Sequence, residues 1–257
     1  MDELPSYPFI YLGDMARLPY GTKSTEVVTS YALKAAGELV KRGIEILVVG
    51  CNTVSACALP VLRAAFPNVP IIDVITPTVA YACQQPHNSR FLLMATETTI
   101  RSQIYQTLIG QGLPGSFVDV VAPNLLVSLA EEGWHDEEIV HLVLKRYLTE
   151  AQVQQPPDAV ILGCTHFPAL KQAIASFWSQ GVELIDSTQP TAREVKRALG
   201  GETSSLIHLN TSSSESKEGL KGQVQYYVTD SPERFSRVAY HFLHKSLPLG
   251  EVGLVSL

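Results

Sequence analysis

The chain has 257 residues, 46% of them hydrophobic and 17% charged, with a formal net charge of −6. That apolar content can bury a sizeable core and excludes a wholly disordered chain. The acidic balance, with no dense Lys or Arg cluster to displace counterions, excludes a grip on nucleic acid as the main function.

Phe9 to Leu12 is a short apolar run closed by Gly13-Asp14 and predicts a first strand. Ser24 to Arg42 has apolar pairs recurring every four residues, Lys41-Arg42 in the last turn and Gly43 beyond, which predicts a helix. Ile46 to Val49 is continuously apolar, as in a parallel strand covered on both faces. A helix is expected through Phe66 and a strand over Pro70 to Val74. Further strands are predicted at Phe91–Met94, Phe117–Ala122, Ala159–Leu162, Val182–Ile185 and Val224–Val228. Helices are expected over Ile100–Ile109, Leu125–Glu132, Glu137–Ala151, Ala169–Ser179, Thr191–Leu199 and Pro232–Leu247. The Ser- and Gly-rich residues 200–222 read as a surface loop. Alternating strands and helices imply α/β architecture with mainly parallel sheets and helices on both faces.

The chain ends and the cysteines restrict the setting. Met1-Asp2-Glu3-Leu4-Pro5 has no apolar core of a signal peptide. The apolar runs stop short of the roughly 20 residues that a membrane span needs. Four cysteines are too few for a disulfide scaffold, so the expected compartment is a reducing cytoplasm.

The sequence repeats itself. Ile46 to Thr53 and Ala159 to His166 are both apolar strands ending in Gly-Cys and followed by hydrogen-bonding residues. The offset, 164 − 51 = 113, persists at Asp73 and Asp186 and at Pro77-Thr78 and Pro190-Thr191. Two related α/β halves would each set a cysteine at the carboxyl end of a strand, where open α/β sheets bind ligands. A helix N-terminus at each turn would favour thiolate, as would His166 beside Cys164. Two thiols on opposite faces of a substrate suit one reaction in particular. One removes a proton from a stereocentre, the other returns one to the opposite face, and no cofactor is needed. Cys57 and Cys83 have no polar neighbourhood and read as core.

Other motifs carry less. Gly110 to Gly115 fits GxGxxG but follows a helix and precedes a strand, the reverse of a nucleotide-binding turn. Cys57 and Arg63 have the spacing of a cysteine phosphatase loop, but the residues between are bulky and apolar. His241 and His244 lie one helical turn apart without further ligands, so no metal site is expected.

Several segments resemble the glutamate racemases of the aspartate/glutamate racemase superfamily. Gly13 to Gly21 is similar to the family's GDTARVPYG, Cys51 to Ala56 to CNTASA, and Gly163 to Pro168 to GCTHYP. Ala95 to Thr99 resembles the ATxxT loop and Leu129 to Gly133 the LVEEG segment, with later matches at Ile185-Asp186-Ser187 and Val228-Thr229-Asp230. The resemblance implies two pseudo-symmetric α/β halves with the active site in the cleft between them. The first would take 1–74 plus 187–257 and carry Cys51; the second would be inserted, 75–186, and carry Cys164. It implies cofactor-independent conversion of L- to D-glutamate for peptidoglycan, with Cys51 and Cys164 as the acid/base pair assisted by His166. Tyr20, Gly21, Asn52, Thr53, Thr165, Thr96 and Thr99 would hold the substrate together with His166, although Thr96 and Thr99 also fit local helix capping. Acidic residues ending a helix, as Glu131 and Glu132 do, are ordinarily solvated. The implied partner is glutamate, with no nucleic acid and no membrane, and a homodimer is the candidate assembly. A racemase of another small amino acid, or an impaired racemase-like protein acting by protein contact, stays open as an alternative. The Asp-Ser-Gly strand with which family members begin has no counterpart before Gly13, so the first sheet is expected to lack a strand and a covering helix.

Overall fold

The computed structural model describes residues 4–257 except 88, 152, 154, 179, 180, 201–222 and 244. The chain begins β1 (Phe9–Gly13), α1 (Thr25–Lys41), β2 (Leu47–Val49), α2 (Asn52–Cys57), α3 (Leu59–Ala65), β3 (Ile71–Asp73) and α4 (Ile75–Ala82). It continues β4 (Arg90–Ala95), α5 (Glu97–Arg101), α6 (Ile104–Gly112), β5 (Phe117–Val121), α7 (Leu125–Glu132), α8 (Glu137–Glu150) and β6 (Ala159–Gly163). The last elements are α9 (Lys171–Phe177), β7 (Glu183–Ile185), α10 (Thr188–Ala198), β8 (Val224–Val228), α11 (Pro232–Leu243) and β9 (Val252–Leu254). Every strand pairing among the described residues is parallel. Parallel strands need long return connections, and the intervening helices supply them.

The sheet β5-β4-β6-β7 is the best-covered part of the molecule. Successive side chains of a strand point to opposite faces, and β4 divides accordingly. Leu92 and Met94 enter one core with Val160, Leu162 and residues of α7, α8 and α9. Phe91, Leu93 and Ala95 enter the other with Ala159, Ile161 and residues of α4 and α6. All five β4 residues are at most 1% exposed, and such burial contributes roughly 1.5–3 kcal/mol for each large side chain. This lobe is therefore a three-layer sandwich held from both faces.

The other lobe is covered less evenly. Its strands form two sheets, β1-β8-β9 and β2-β3. Leu47 and Val49 pack with α1, α2 and α3, but Val48 on the opposite face of β2 is 42% exposed. The expectation of a strand covered on both faces fails at that residue. Leu4 joins the small core of Ile72 and Val195, against which Phe9 and Ile46 pack, so the segment before β1 lies against β3 and α10.

The internal repeat is structural. β2 pairs with β3 through Leu47↔Ile71, and β6 with β7 through Val160↔Leu184; each pair in the second set is the first plus 113. After each partner strand an aspartate starts a helix. Asp73 accepts from the N–H groups of Ile75 and Thr76, both at 2.8 Å, and from the Thr76 hydroxyl. Asp186 accepts from the Thr188 N–H at 2.9 Å and from Lys171 Nζ at 2.6 Å.

Several boundaries depart from the sequence expectation. The helix expected through Phe66 is broken at Ala58, because Pro60 cannot donate to Ala56 and crowds its carbonyl. The helix expected over Ile100–Ile109 is two helices, α5 and α6, joined by Gln103 with φ 55°. The segment after Cys164 first forms a 3-10 turn, Phe167–Leu170, and only then α9. α4 and β9 were not expected at all. The loop expected over 200–222 lies outside the described residues from 201 onward. The GxGxxG segment begins inside the last turn of α6 and continues as a turn.

Asp73→Ala leaves the α4 N–H groups buried and unpaired. The expected loss is about 1–2 kcal/mol of unfolding free energy in urea titrations. Asp186→Ala should cost less, because the Asp186 side chain is 13% exposed against 2% for Asp73. Equal losses would show that water replaces both caps.

Candidate active site

Cys51 lies two residues past the end of β2 and forms the N-cap of α2, its carbonyl accepting from the Ser55 N–H at 2.9 Å. Burial pushes its thiol up to about 11; the N–H groups of Val54 and Thr53 and the Thr53 hydroxyl work against this, and the Cys164 sulfur adds to it. The helix N-terminus does favour thiolate, as the sequence suggested, through the Val54 and Thr53 N–H groups, and burial outweighs it.

Cys164 ends β6 on the face of that strand shared with Val160 and Leu162. Its sulfur lies 3.8 Å from His166 Nδ1, and His166 Nε2 lies 3.2 Å from Glu131 Oε1. Arg234 Nη2 donates to Glu131 Oε2 at 2.8 Å. Burial alone would lower His166, but the Cys164 sulfur and the Glu131 carboxylate outweigh it and raise the imidazole to about 9. His166 is therefore a cation at neutral pH, and a cation beside a sulfur stabilises negative charge on it. Glu131 is not merely solvated, as its place at a helix end suggested. Its carboxyl is held below the usual range by His166, against burial, and Arg234 helps. Phe242 of α11 packs edge-on to the His166 ring at 5.5 Å.

The two lobes meet along a seam beside Cys51. The Gly21 carbonyl accepts from the Thr98 N–H at 3.0 Å and the Thr98 hydroxyl at 2.9 Å. A Cβ on residue 21 would lie 2.6 Å from Thr96 Cβ and Cγ2, so only glycine allows this approach. Thr96 caps α5 through the Thr99 N–H, and its hydroxyl bonds both Thr53 (2.9 Å) and Thr99 (3.0 Å). Thr96 thus does the local capping anticipated for it and reaches across the seam as well. Tyr20 donates to Asp14, and Thr165 is half-buried in the turn after Cys164. Asn52 is 2% exposed; its Oδ1 accepts from the Tyr105 hydroxyl at 2.7 Å, and its Nδ2 has no partner.

Among the sequence-derived candidates, Gly21, Asn52, Thr53, Thr96 and Thr99 adjoin Cys51 directly or through one another, while His166 adjoins Cys164 and Thr165 follows it in the chain. Sequence reasoning missed Tyr11, Tyr105 and Arg234. Tyr11 is pushed up by burial, then by Cys51 and Tyr226, and its ring stacks on Phe235 at 5.5 Å. Nothing in its alternating strand context could have marked it. Cys57 and Cys83 are half-buried against the cores, as their neighbourhoods suggested. His241 stands against Gly133 and His135, while His244 lies outside the described residues. No three His, Cys, Asp or Glu side chains among the described residues are grouped to hold a metal. No helix among them is long and apolar enough to cross a membrane.

Repeated parallel α/β units, each with its first strand followed by a Gly-Cys turn, define a two-lobed α/β protein. The family model for Asp/Glu/Hydantoin racemase matches residues 2–195. A glutamate racemase of Geobacter metallireducens is 42% identical over 99% of this chain and 89% of its own. One from Neisseria meningitidis is 34% identical over 100% and 90%. The glutamate racemase of Francisella tularensis, solved in complex with D-glutamate, superposes with a TM-score of 0.83 at 32% identity, covering 100% of this chain and 90% of that one. The chain belongs to the Asp/Glu/hydantoin racemase family, among the glutamate racemases.

The imidazolium predicts a change in reactivity. His166→Asn removes the group 3.8 Å from the Cys164 sulfur, so iodoacetamide alkylation of Cys164 at neutral pH, followed by peptide mass spectrometry, should slow. Glu131→Gln should slow it too, because the imidazole then loses its anionic partner. An unchanged rate in both would detach His166 from Cys164. Stability follows the same group: raised from 6.5 to about 9 by folding, His166 stabilises the fold fully below pH 6.5. That contribution disappears as pH rises through about 9, so His166→Asn should flatten the fall in melting temperature over that window.

Proposed function

We propose that this chain interconverts L- and D-glutamate by a two-base mechanism without a cofactor. The reading is supported chiefly by one observation: β2–β3 and β6–β7 pair in one register 113 residues apart, and each first strand runs into a Gly-Cys turn, so the two cysteines hold equivalent positions. One sulfur, as thiolate, takes the Cα proton; the other, as thiol, gives its proton to the opposite face of Cα. One S–H bond forms and one breaks, the stereocentre inverts, and no electrons change hands. Burial keeps the proton on Cys51 near neutral pH, which suits it to the acid role, while His166 stands beside Cys164. The reverse reaction needs the opposite assignment, reached by turnover or by exchange with water.

Asn52, Thr53, Thr165, Tyr20 and Gly21 hold the substrate's carboxylates and amino group in this reading, with Thr96 and Thr99 lining the same pocket. Short amide and hydroxyl groups beside helix starts suit a dicarboxylate. The lobes divide as 1–74 plus 187–257, carrying Cys51, and 75–186, carrying Cys164. The product supplies D-glutamate for peptidoglycan in the cytoplasm.

In D2O each glutamate enantiomer should acquire deuterium at Cα. Cys51→Ser and Cys164→Ser should each lower kcat by about 10²–10⁴-fold, the usual worth of a positioned acid or base. Full activity of either variant, or a pyridoxal requirement, would refute the mechanism. The highest kcat/KM should belong to glutamate in a comparison with aspartate, glutamine and alanine; a better rate on alanine would refute the substrate class alone.

A further inference from the structure

Asn52 sits next to Cys51 in the chain and is the cleft residue with an unpartnered buried donor, Nδ2. A buried amide nitrogen without an acceptor is costly unless something else offers one. Its other atom is fully engaged: Oδ1 takes the hydroxyl proton of Tyr105 at 2.7 Å. Tyr105 lies on α6 in the other lobe, is 0% exposed, and packs with Phe91, Leu93 and Ile109. Burial, then the charges at Asp73 and Cys164, push its phenol above its ordinary value, so the hydroxyl keeps its proton and donates.

We propose that Tyr105 is a positioning residue, whose hydroxyl holds the Asn52 amide turned so that Nδ2 donates to a substrate carboxylate. An amide has two orientations related by half a turn. One offers a carboxylate a donor and the other offers a repelling oxygen. A phenol reaching across from α6 and donating to Oδ1 fixes the first, and it ties that choice to the closeness of the two lobes. Oriented donors of this kind hold an anionic substrate without reorganising when it binds. The inference rests on the reading of the cleft as a glutamate racemase site.

The test is a double-mutant cycle on the full chain, after the unaltered chain has been shown to racemise glutamate. Tyr105→Phe keeps the ring and removes only the hydroxyl. It should raise KM for glutamate about three- to tenfold, the usual worth of one hydrogen bond, with kcat nearly unchanged. In an Asn52→Ala background the same change should have no further effect on kcat/KM. Equal losses in both backgrounds would overturn the proposal, as would an unchanged KM in Tyr105→Phe. Should Tyr105→Phe fail to fold, Asn52→Asp decides alone. It keeps an acceptor for Tyr105 but replaces the donor with oxygen, so KM should rise more than tenfold in the folded protein; undiminished affinity would overturn the proposal. Absence of glutamate racemisation in the unaltered chain would instead refute the underlying reading of the site.

Discussion

The approach of Gly21 to Thr96 governs the geometry of the cleft. Residues 21 to 23 come from the lobe of Cys51, and Thr96 to Thr99 start a helix of the lobe of Cys164. The Gly21 carbonyl takes two bonds from Thr98, and the Lys23 carbonyl takes a third at 2.9 Å. With no Cβ at residue 21, the Thr96 side chain fills the space a side chain there would need. Thr96 then touches Thr53, two residues from Cys51. A larger residue at 21 would push the lobes apart, and every cross-cleft contact would lengthen together, from Thr53–Thr96 to Asn52–Tyr105. Misplacement by about 1 Å can cost roughly a hundredfold in rate, so this one small residue bears directly on the chemistry.

Within that frame the two thiols are alike in backbone and unlike in surroundings. Each ends a parallel strand one register step from its partner strand and 22 residues before a helix-starting aspartate. Yet Cys51 faces hydroxyls, an amide and burial, whereas Cys164 faces a chain of charges running His166, Glu131, Arg234. Arg234 belongs to α11, so the charge chain at Cys164 is finished by a residue from far along the sequence. The repeat supplies equivalent positions, and the later helices supply the difference.

That contrast explains what the sequence could reveal. The strands of the fully covered sheet were legible because they are continuous apolar runs bounded by turns. The 113-residue echo was legible because strand, cysteine and aspartate recur in one register, and the pairing Leu47↔Ile71 against Val160↔Leu184 follows from it. α4 was not, since Ile75, Thr76 and Pro77 look like strand and breaker; the Asp73 cap and a proline in the first turn make them a helix start instead. The Val48 exposure was hidden because an apolar run does not say which face finds a neighbour. Glu131 read as solvated because its partners are 35 and 103 residues away in sequence. Tyr105 read as one more apolar position on a helix. The helix-end argument for Cys51 had the right direction and left out the burial that opposes it.

In the proposed mechanism, inversion at carbon demands two opposed faces and therefore rewards a duplicated unit, because one strand-cysteine turn copied about a pseudo-axis would deliver opposed sulfurs without further invention. It does not demand that the two sulfurs be equally acidic. At any moment one must be base and the other acid, and two identical environments would leave the proton distribution between them undecided. Burial at Cys51 and the charge chain at Cys164 make the two surroundings unlike. Because mirror-image amino acids are equally stable, kcat/KM must be the same in both directions, and the asymmetry can only divide differently between kcat and KM. The geometry can thus be symmetric and the electrostatics asymmetric without contradiction, and His166, Glu131 and Arg234 are the side chains that break the symmetry.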